Sequence, residues 1–79
     1  MEYQGKISVL DDGKEYEIID TLEYNNQTYL LFSNTLNIEK ICIRKIVNIE
    51  NEEFFDFLDE IEFQEVIEKF IKKNENLFE

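Results

Sequence analysis

The sequence predicts an α+β fold: a small antiparallel β-sheet of four to five strands in a meander, with one C-terminal amphipathic α-helix packed on one face. Two observations predict the sheet: apolar residues alternate with polar ones through most of the chain, and short turn signals separate these runs. A third predicts the helix. Near the C-terminus the apolar spacing changes to threes and fours, which is the helical period.

The chain of 79 residues suits one small domain, which we place at 1–79 with an ordered core over about 6–73 and a frayed tail over 74–79. It contains no proline, two glycines and no internal repeat, so nothing signals a domain boundary. Apolar residues make up 43 % of the chain, which exceeds the level typical of disorder. We therefore expect it to fold despite a net charge of −11.

The first two strands are predicted at Lys6–Leu10 and Glu15–Tyr24. In the first, Ile7 and Val9 share one face, as burial with a period of two requires. An Asp-Gly pair within Asp11–Lys14 separates the two runs. It favours a tight hairpin turn, because glycine adopts a positive φ without strain.

Two further strands are predicted at Gln27–Ser33 and Ile38–Glu50. Asn25-Asn26 favours a tight turn before the third strand, because asparagine tolerates the left-handed region. The fourth run is rich in β-branched residues, which favours a strand over a helix. Cys42 is the only cysteine, and its alternation with isoleucines indicates a strand residue rather than a reactive thiol.

The stretch "ENEEFFDFLDEIEFQE", from Glu50 to Glu65, holds eight carboxylates and no positive charge. Its first half predicts a short fifth strand over Glu52–Leu58. The facing of that strand is ambiguous, because Phe55 and Phe57 share one side while Phe54 falls on the other.

A helix is predicted to begin after Asp59. Asp59 can accept from first-turn N–H groups, and Glu62 can reach back to complete a capping box. The apolar stripe of the helix consists of Phe63, Val66, Ile67, Phe70 and Ile71. Acidic residues in the first turn and lysines in the last turn both suit the helix dipole.

The chemistry of common active sites is not supported. The chain has no histidine, so the commonest general base and the commonest metal ligand are missing. Its two serines lack a triad partner, and no glycine-rich phosphate loop occurs. We therefore predict no enzyme, no catalytic residue, no metal site and no cofactor. The N-terminus lacks a signal-peptide pattern, which favours a cytoplasmic protein.

The charge constrains the partners. Fixed negative charge repels phosphate backbones and anionic lipids, so we expect no direct nucleic-acid binding and no membrane binding. Lys40, Arg44 and Lys45 form a small basic cluster, which we interpret as the solvent face of a strand paired with Glu17 or Asp20.

The order "LDDGKEYEIIDTLEYNNQTYLL", an isoleucine-rich strand and an "FQEVIEKF" helix resembles the domain-of-unknown-function 1292 family, small acidic proteins of low-GC Gram-positive bacteria. The likeness covers roughly Leu10 to Ile71. It rests on turn and core residues, such as Asp12–Glu17 and Phe63. The chain departs from the family pattern at Asn25-Asn26, where Asp-Gly is usual, and lacks the proline expected near the fifth strand. The resemblance implies this fold and no particular activity.

The leading hypothesis is a non-enzymatic interaction or regulatory module that binds a basic protein surface. The residues expected to bind are Glu60, Glu62, Glu65, Glu68, Phe54, Phe55 and Phe57. One alternative is a nucleic-acid-mimicking inhibitor of a DNA- or RNA-binding protein; another is that the phenylalanines are core and the acids only confer solubility. We expect a monomer or a homodimer through an edge strand, Lys6–Leu10 or Glu52–Leu58.

Overall fold

The computed structural model describes residues 3–74. Within these residues five strands form one antiparallel sheet in chain order and one helix follows them, so the predicted α+β meander is confirmed. The elements are β1 (Ile7–Val9), β2 (Glu15–Tyr24), β3 (Gln27–Asn34), β4 (Ile41–Ile49), β5 (Glu52–Asp56) and α1 (Glu60–Lys73). The frayed tail predicted over 74–79 lies, except for Asn74, outside the described residues.

Tight turns set the register of the sheet. Asn25 and Asn26 adopt φ values of 52° and 60°, as predicted for a two-residue turn between β2 and β3. Glu50 and Asn51 form a similar turn between β4 and β5, with φ values of 51° and 70°. The predicted Asp-Gly hairpin is present, but its loop is one residue longer: Gly13, at φ 76°, closes a turn in which its N–H donates to the Leu10 carbonyl at 2.9 Å.

The helix covers one face of the sheet. Val66 and Phe70 of α1 are fully buried, because their spacing of four residues places both on the side that meets the strands. They pack in one cluster with Leu31 and Ile43 of the central strands and with Tyr29. The predicted packing of the helix on one face is therefore confirmed.

The opposite face has a second cluster, which the sheet buries by curling. Its buried members are Leu10, Tyr16, Ile18, Leu30, Phe32 and Ile46. The curl brings the chain start to β5, where the Tyr3 hydroxyl donates to Glu53 Oε2 at 2.8 Å. A short chain thus obtains two apolar layers from one sheet.

The expectation that Ile7 and Val9 are buried is wrong. Their side chains are 56 % and 68 % exposed. The register pairs them with Glu17 and Glu15, on the face that carries the helix. The helix ends beside Asp20 on β2, so neither residue of β1 joins the apolar cluster beneath it.

Candidate functional site

The three phenylalanines of the predicted binding set are all partly exposed, and they lie on both faces of the sheet. Phe54 is 45 % exposed and pairs with Val47 on the helix side. Phe55 and Phe57 are 40 % and 58 % exposed and lie on the opposite side. The three side chains therefore wrap around the edge of the sheet instead of forming one flat patch.

Two of these rings also have contacts within the fold. Phe55 packs edge-on against the buried Phe32, with ring centroids 5.5 Å apart. The guanidinium of Arg44 lies 4.5 Å from the Phe57 ring centroid and reaches Asp11 Oδ1 at 3.0 Å. Phe54 has no aromatic or cation–π contact of this kind among residues 3–74, so it is the ring most available to a partner.

Glu62 is bound into the fold at the start of α1. Its Oε2 accepts from the Tyr29 hydroxyl at 2.6 Å, and its Oε1 accepts from Lys45 Nζ at 3.1 Å. Its backbone N–H donates to Asp59 Oδ1 at 2.7 Å, which confirms the predicted helix cap. Glu62 therefore connects the first turn of the helix to the sheet.

The hydrogen bond between Tyr29 and Glu62 shifts the pKa values of both groups. The hydrogen bond from Tyr29 lowers the pKa of the Glu62 carboxyl, and Lys45 and the Asp59 N–H add to the lowering. Burial and the same carboxylate raise the pKa of the Tyr29 hydroxyl. The predicted capping box is thus only a small part of what Glu62 does, because its main partners are in the sheet.

Asp20 holds the other end of the helix. Its carboxylate is buried, and it accepts from Lys73 Nζ at 3.0 Å and from Asn74 Nδ2 at 2.6 Å. Burial alone would raise the pKa of Asp20, but hydrogen bonds from Asn74, Lys73 and the Thr21 N–H outweigh it and lower the pKa. Asp20 and Glu62 together fix α1 to the sheet at both ends.

The basic cluster has different partners from those predicted. Arg44 pairs with Asp11, and Lys40 Nζ lies 3.6 Å from Asp12 Oδ2. Glu17 takes no part in these pairs, and Asp20 pairs with Lys73. The prediction failed because the curl of the sheet brings the β1–β2 loop, which the sequence does not place, over β4. None of the four ion pairs of residues 3–74 uses a carboxylate of β5.

The remaining glutamates of the predicted set, Glu60, Glu65 and Glu68, are exposed, whereas Glu62 is half-buried by its contacts with the sheet. Glu65 and Glu68 line a small depression with Tyr24, Lys69 and Lys72, so lysines dilute the negative charge there. Glu60 lies in the first helical turn, close in sequence to β5. The role of these glutamates in binding a partner stays a prediction.

The structure also exposes an acidic and apolar segment around β5, which we call the acidic edge. Its exposed residues are Ile49, Glu50, Glu52, Glu53, Phe54, Phe55, Asp56, Phe57, Glu60, Ile61 and Phe63. The signal that could have located it is present in the sequence: nine carboxylates and no basic residue lie between Lys45 and Lys69. What the sequence could not show is that the apolar residues of β5 and of the first turn of α1 are exposed.

Comparisons with protein-family models, with curated proteins and with solved structures found no match. No group of three or more potential metal-ligating side chains occurs within the described range 3–74. No helix in that range is both long enough and apolar enough to cross a membrane.

Proposed function

We propose that this protein is a non-enzymatic interaction or regulatory module of the cytoplasm, and that its acidic edge binds a basic protein surface. The observation that carries the proposal is the composition of the edge. Carboxylates alternate with apolar side chains that are at least 40 % exposed, among them Ile49, Phe54, Phe57 and Ile61. The absence of histidine from the chain supports a role that needs no general base near neutral pH.

The mixture of carboxylates and aromatic rings favours a protein partner. Unpaired carboxylates raise the association rate with a basic surface, and exposed aromatic rings supply the apolar contacts that dominate binding energy. Phe54 is suited to this because it is 45 % exposed, with Glu52 and Asp56 on the same face of the strand. A surface that only confers solubility does not need large rings beside its charges.

A nucleic-acid mimic is the weaker alternative. Such a mimic needs rows of hydrated carboxylates that stand in for phosphates, and here apolar side chains interrupt the row at every second or third residue. The ion pairs of Lys45 with Glu62 and of Lys73 with Asp20 further reduce the negative field along the helix. Both features suit a partner with apolar as well as basic groups.

The test compares two triple variants with the same change in net charge. One carries Glu50→Gln, Glu52→Gln and Glu60→Gln in the acidic edge; the control carries Glu17→Gln, Glu23→Gln and Glu39→Gln on other exposed positions. Binding of a lysine-rich basic domain is measured by calorimetry at about 50 mM salt and again at about 300 mM, where surface attraction is screened.

We expect the edge variant to bind about tenfold more weakly at low salt, while the control stays close to the wild type. Raised salt should weaken all three proteins, and a Phe54→Ala variant should lose the binding that persists at high salt. Equal losses in the two triple variants would mean that only overall charge matters. No binding by the wild type at low salt would make the proposal wrong.

A further inference from the structure

One side of the β5 backbone has no strand partner in the part of the chain that the structure describes. Among the described residues β4 is its only strand neighbour, and all five of its residues are exposed. The two-residue turn makes Ile49 and Glu52 a hydrogen-bonded pair, and such pairs alternate along an antiparallel ladder. The N–H and C=O groups of Glu53 and Phe55 therefore point away from β4. No further backbone hydrogen bond within residues 3–74 reaches them.

The edge lacks most of the devices that protect sheet edges. Proteins commonly protect an edge with a very short strand, charged side chains (lysine above all), a proline or a bulge. The charges of β5 are Glu52, Glu53 and Asp56, which oppose another acidic strand but attract a basic one. β5 contains neither lysine nor proline and pairs with β4 without a register shift. The opposite edge, β1, has only three residues and follows Lys6. Tyr3 reaches β5 only through its side chain, which bonds the Glu53 carboxylate.

Charge decides which strand can pair with this edge. A second copy is disfavoured, because its own β5 would set carboxylates against Glu52, Glu53 and Asp56, and each chain carries a net charge of −11. A basic segment has the complementary charge. We propose that β5 accepts an extended basic segment of a partner protein as a sixth strand of the sheet. This inference rests on the proposed function and specifies how the acidic edge binds.

The side-chain order of β5 specifies the partner segment. Carboxylates at positions 52, 53 and 56 favour basic residues opposite them, and the phenylalanines at positions 54 and 55 favour apolar ones. An antiparallel partner should therefore carry the order basic, apolar, apolar, basic, basic. β4 already meets β5 in this way on its paired side, where Lys45 lies opposite Asp56, Ile46 opposite Phe55 and Val47 opposite Phe54.

The probes are three short peptides with identical flanks. The matching peptide has the central order Lys-Ile-Val-Lys-Lys. A scrambled peptide of the same composition places lysines opposite the phenylalanines, and an acidic peptide replaces the lysines with glutamates. Binding to the full chain is followed by calorimetry and by amide hydrogen exchange of Glu53 and Phe55 in NMR.

Two variants at one position separate backbone pairing from charge. Glu53→Pro removes the outward N–H without removing a ladder bond to β4, a position where an edge strand tolerates proline. Glu53→Ala is its control, because both variants lose the carboxylate and the Tyr3 contact but only the proline lacks the donor. Circular dichroism establishes that both variants are folded.

We expect the matching peptide to slow amide exchange at Glu53 and Phe55 and to bind the proline variant about tenfold more weakly than the alanine variant, the effect of about one lost hydrogen bond. Equal affinity for the two variants, unchanged exchange in the wild-type complex, or equal binding of the scrambled peptide would each overturn strand addition. The proposed function would survive those results if the edge triple variant still bound the lysine-rich basic domain more weakly than the wild type does. If Glu53→Pro does not fold, the exchange of the wild-type amides decides.

Discussion

The acids that fix the helix and the acids of the acidic edge are chemically alike but differ in their surroundings. Asp20 and Glu62 each accept hydrogen bonds from two or more side chains, and both contact a lysine. Glu50, Glu52 and Glu60 form no side-chain hydrogen bond or ion pair with the described residues. The phenylalanines divide in the same way, since Phe70 is fully buried while Phe54 is 45 % exposed.

This difference divides the carboxylates of residues 3–74 into two groups with different surroundings. One part holds the helix against the sheet, where a lysine counter-charge and donated hydrogen bonds make full or partial burial of a carboxylate tolerable. The other part is unpaired and lies beside exposed rings. A net charge of −11 therefore says little by itself, and the position of each carboxylate decides its role.

The largest expected difference between the two regions concerns the rings. Phe70→Ala should lower the free energy of unfolding by about 3–5 kcal/mol, because it leaves a cavity between α1 and the sheet. Phe54→Ala should cost below about 1 kcal/mol, as at a surface position. Urea unfolding followed by circular dichroism measures both, and similar costs would contradict the division into core and surface.

The sequence was sufficient to predict the strands and the helix because their signals are local. The alternation in the first half of β2 and the spacing of Val66 and Phe70 are fixed by backbone geometry, so they survive in the folded chain. Alternation alone shows that a strand has two different faces. It does not show which face is covered, and for this reason the burial of Ile7 and Val9 was predicted wrongly.

The site was harder to predict because its contacts are long-range. Tyr29 lies 33 positions before Glu62, and Lys45 lies 17 positions before it. No local pattern indicates that these three side chains meet, so Glu62 was grouped with the exposed glutamates of the helix. The exposure of Phe54 depends equally on where the helix crosses the sheet, which only the folded chain determines.

A smaller difference is expected between two glutamates of the same helical turn. Glu62→Gln should lower the free energy of unfolding by about 1–2 kcal/mol, because it weakens the bond from Tyr29 and leaves Lys45 without its counter-charge. Glu60→Gln should change it by no more than about 0.5 kcal/mol. Thermal and urea unfolding of both variants test this. Equal effects would mean that the sheet contacts of Glu62 contribute nothing.

The pH dependence of Asp20→Asn tests the same anchoring at the other end of the helix. The pKa of Asp20 is lowered in the folded chain, so the unfolded chain binds its proton first as the pH falls. The stabilisation is fully present above the unfolded pKa of about 4 and is lost as the pH falls through the lower folded pKa. The free energy of unfolding of the wild type should therefore exceed that of the variant by about 1 kcal/mol near pH 7. This difference should close below about pH 4.

Acidification also relieves general charge repulsion, and it does so in both proteins. Comparing the free energies of unfolding of the wild type and Asp20→Asn, rather than following the wild type alone, cancels this shared contribution. Urea unfolding at a series of pH values between about 2 and 7 provides the difference at each point. A difference that stays constant with pH would show that the carboxylate charge of Asp20 is not what holds Lys73 and Asn74.

The smallest expected change in the free energy of unfolding is at the acidic edge, and its sign is opposite to that of the changes at Asp20 and Glu62. Glu50→Gln and Glu52→Gln together should raise the free energy of unfolding by a few tenths of a kcal/mol, because like charges are removed and no side-chain bond to residues 3–74 is lost. Glu60 is left in place here, because its carboxylate lies in the first turn of α1 and interacts favourably with the helix dipole. The gain should be largest at low ionic strength and should vanish near about 0.5 M salt, where the screening length is only about 4 Å. Loss of stability in this variant would place the edge carboxylates among the acids that hold the fold, whereas a gain together with weaker binding would show that they are kept unpaired for a partner.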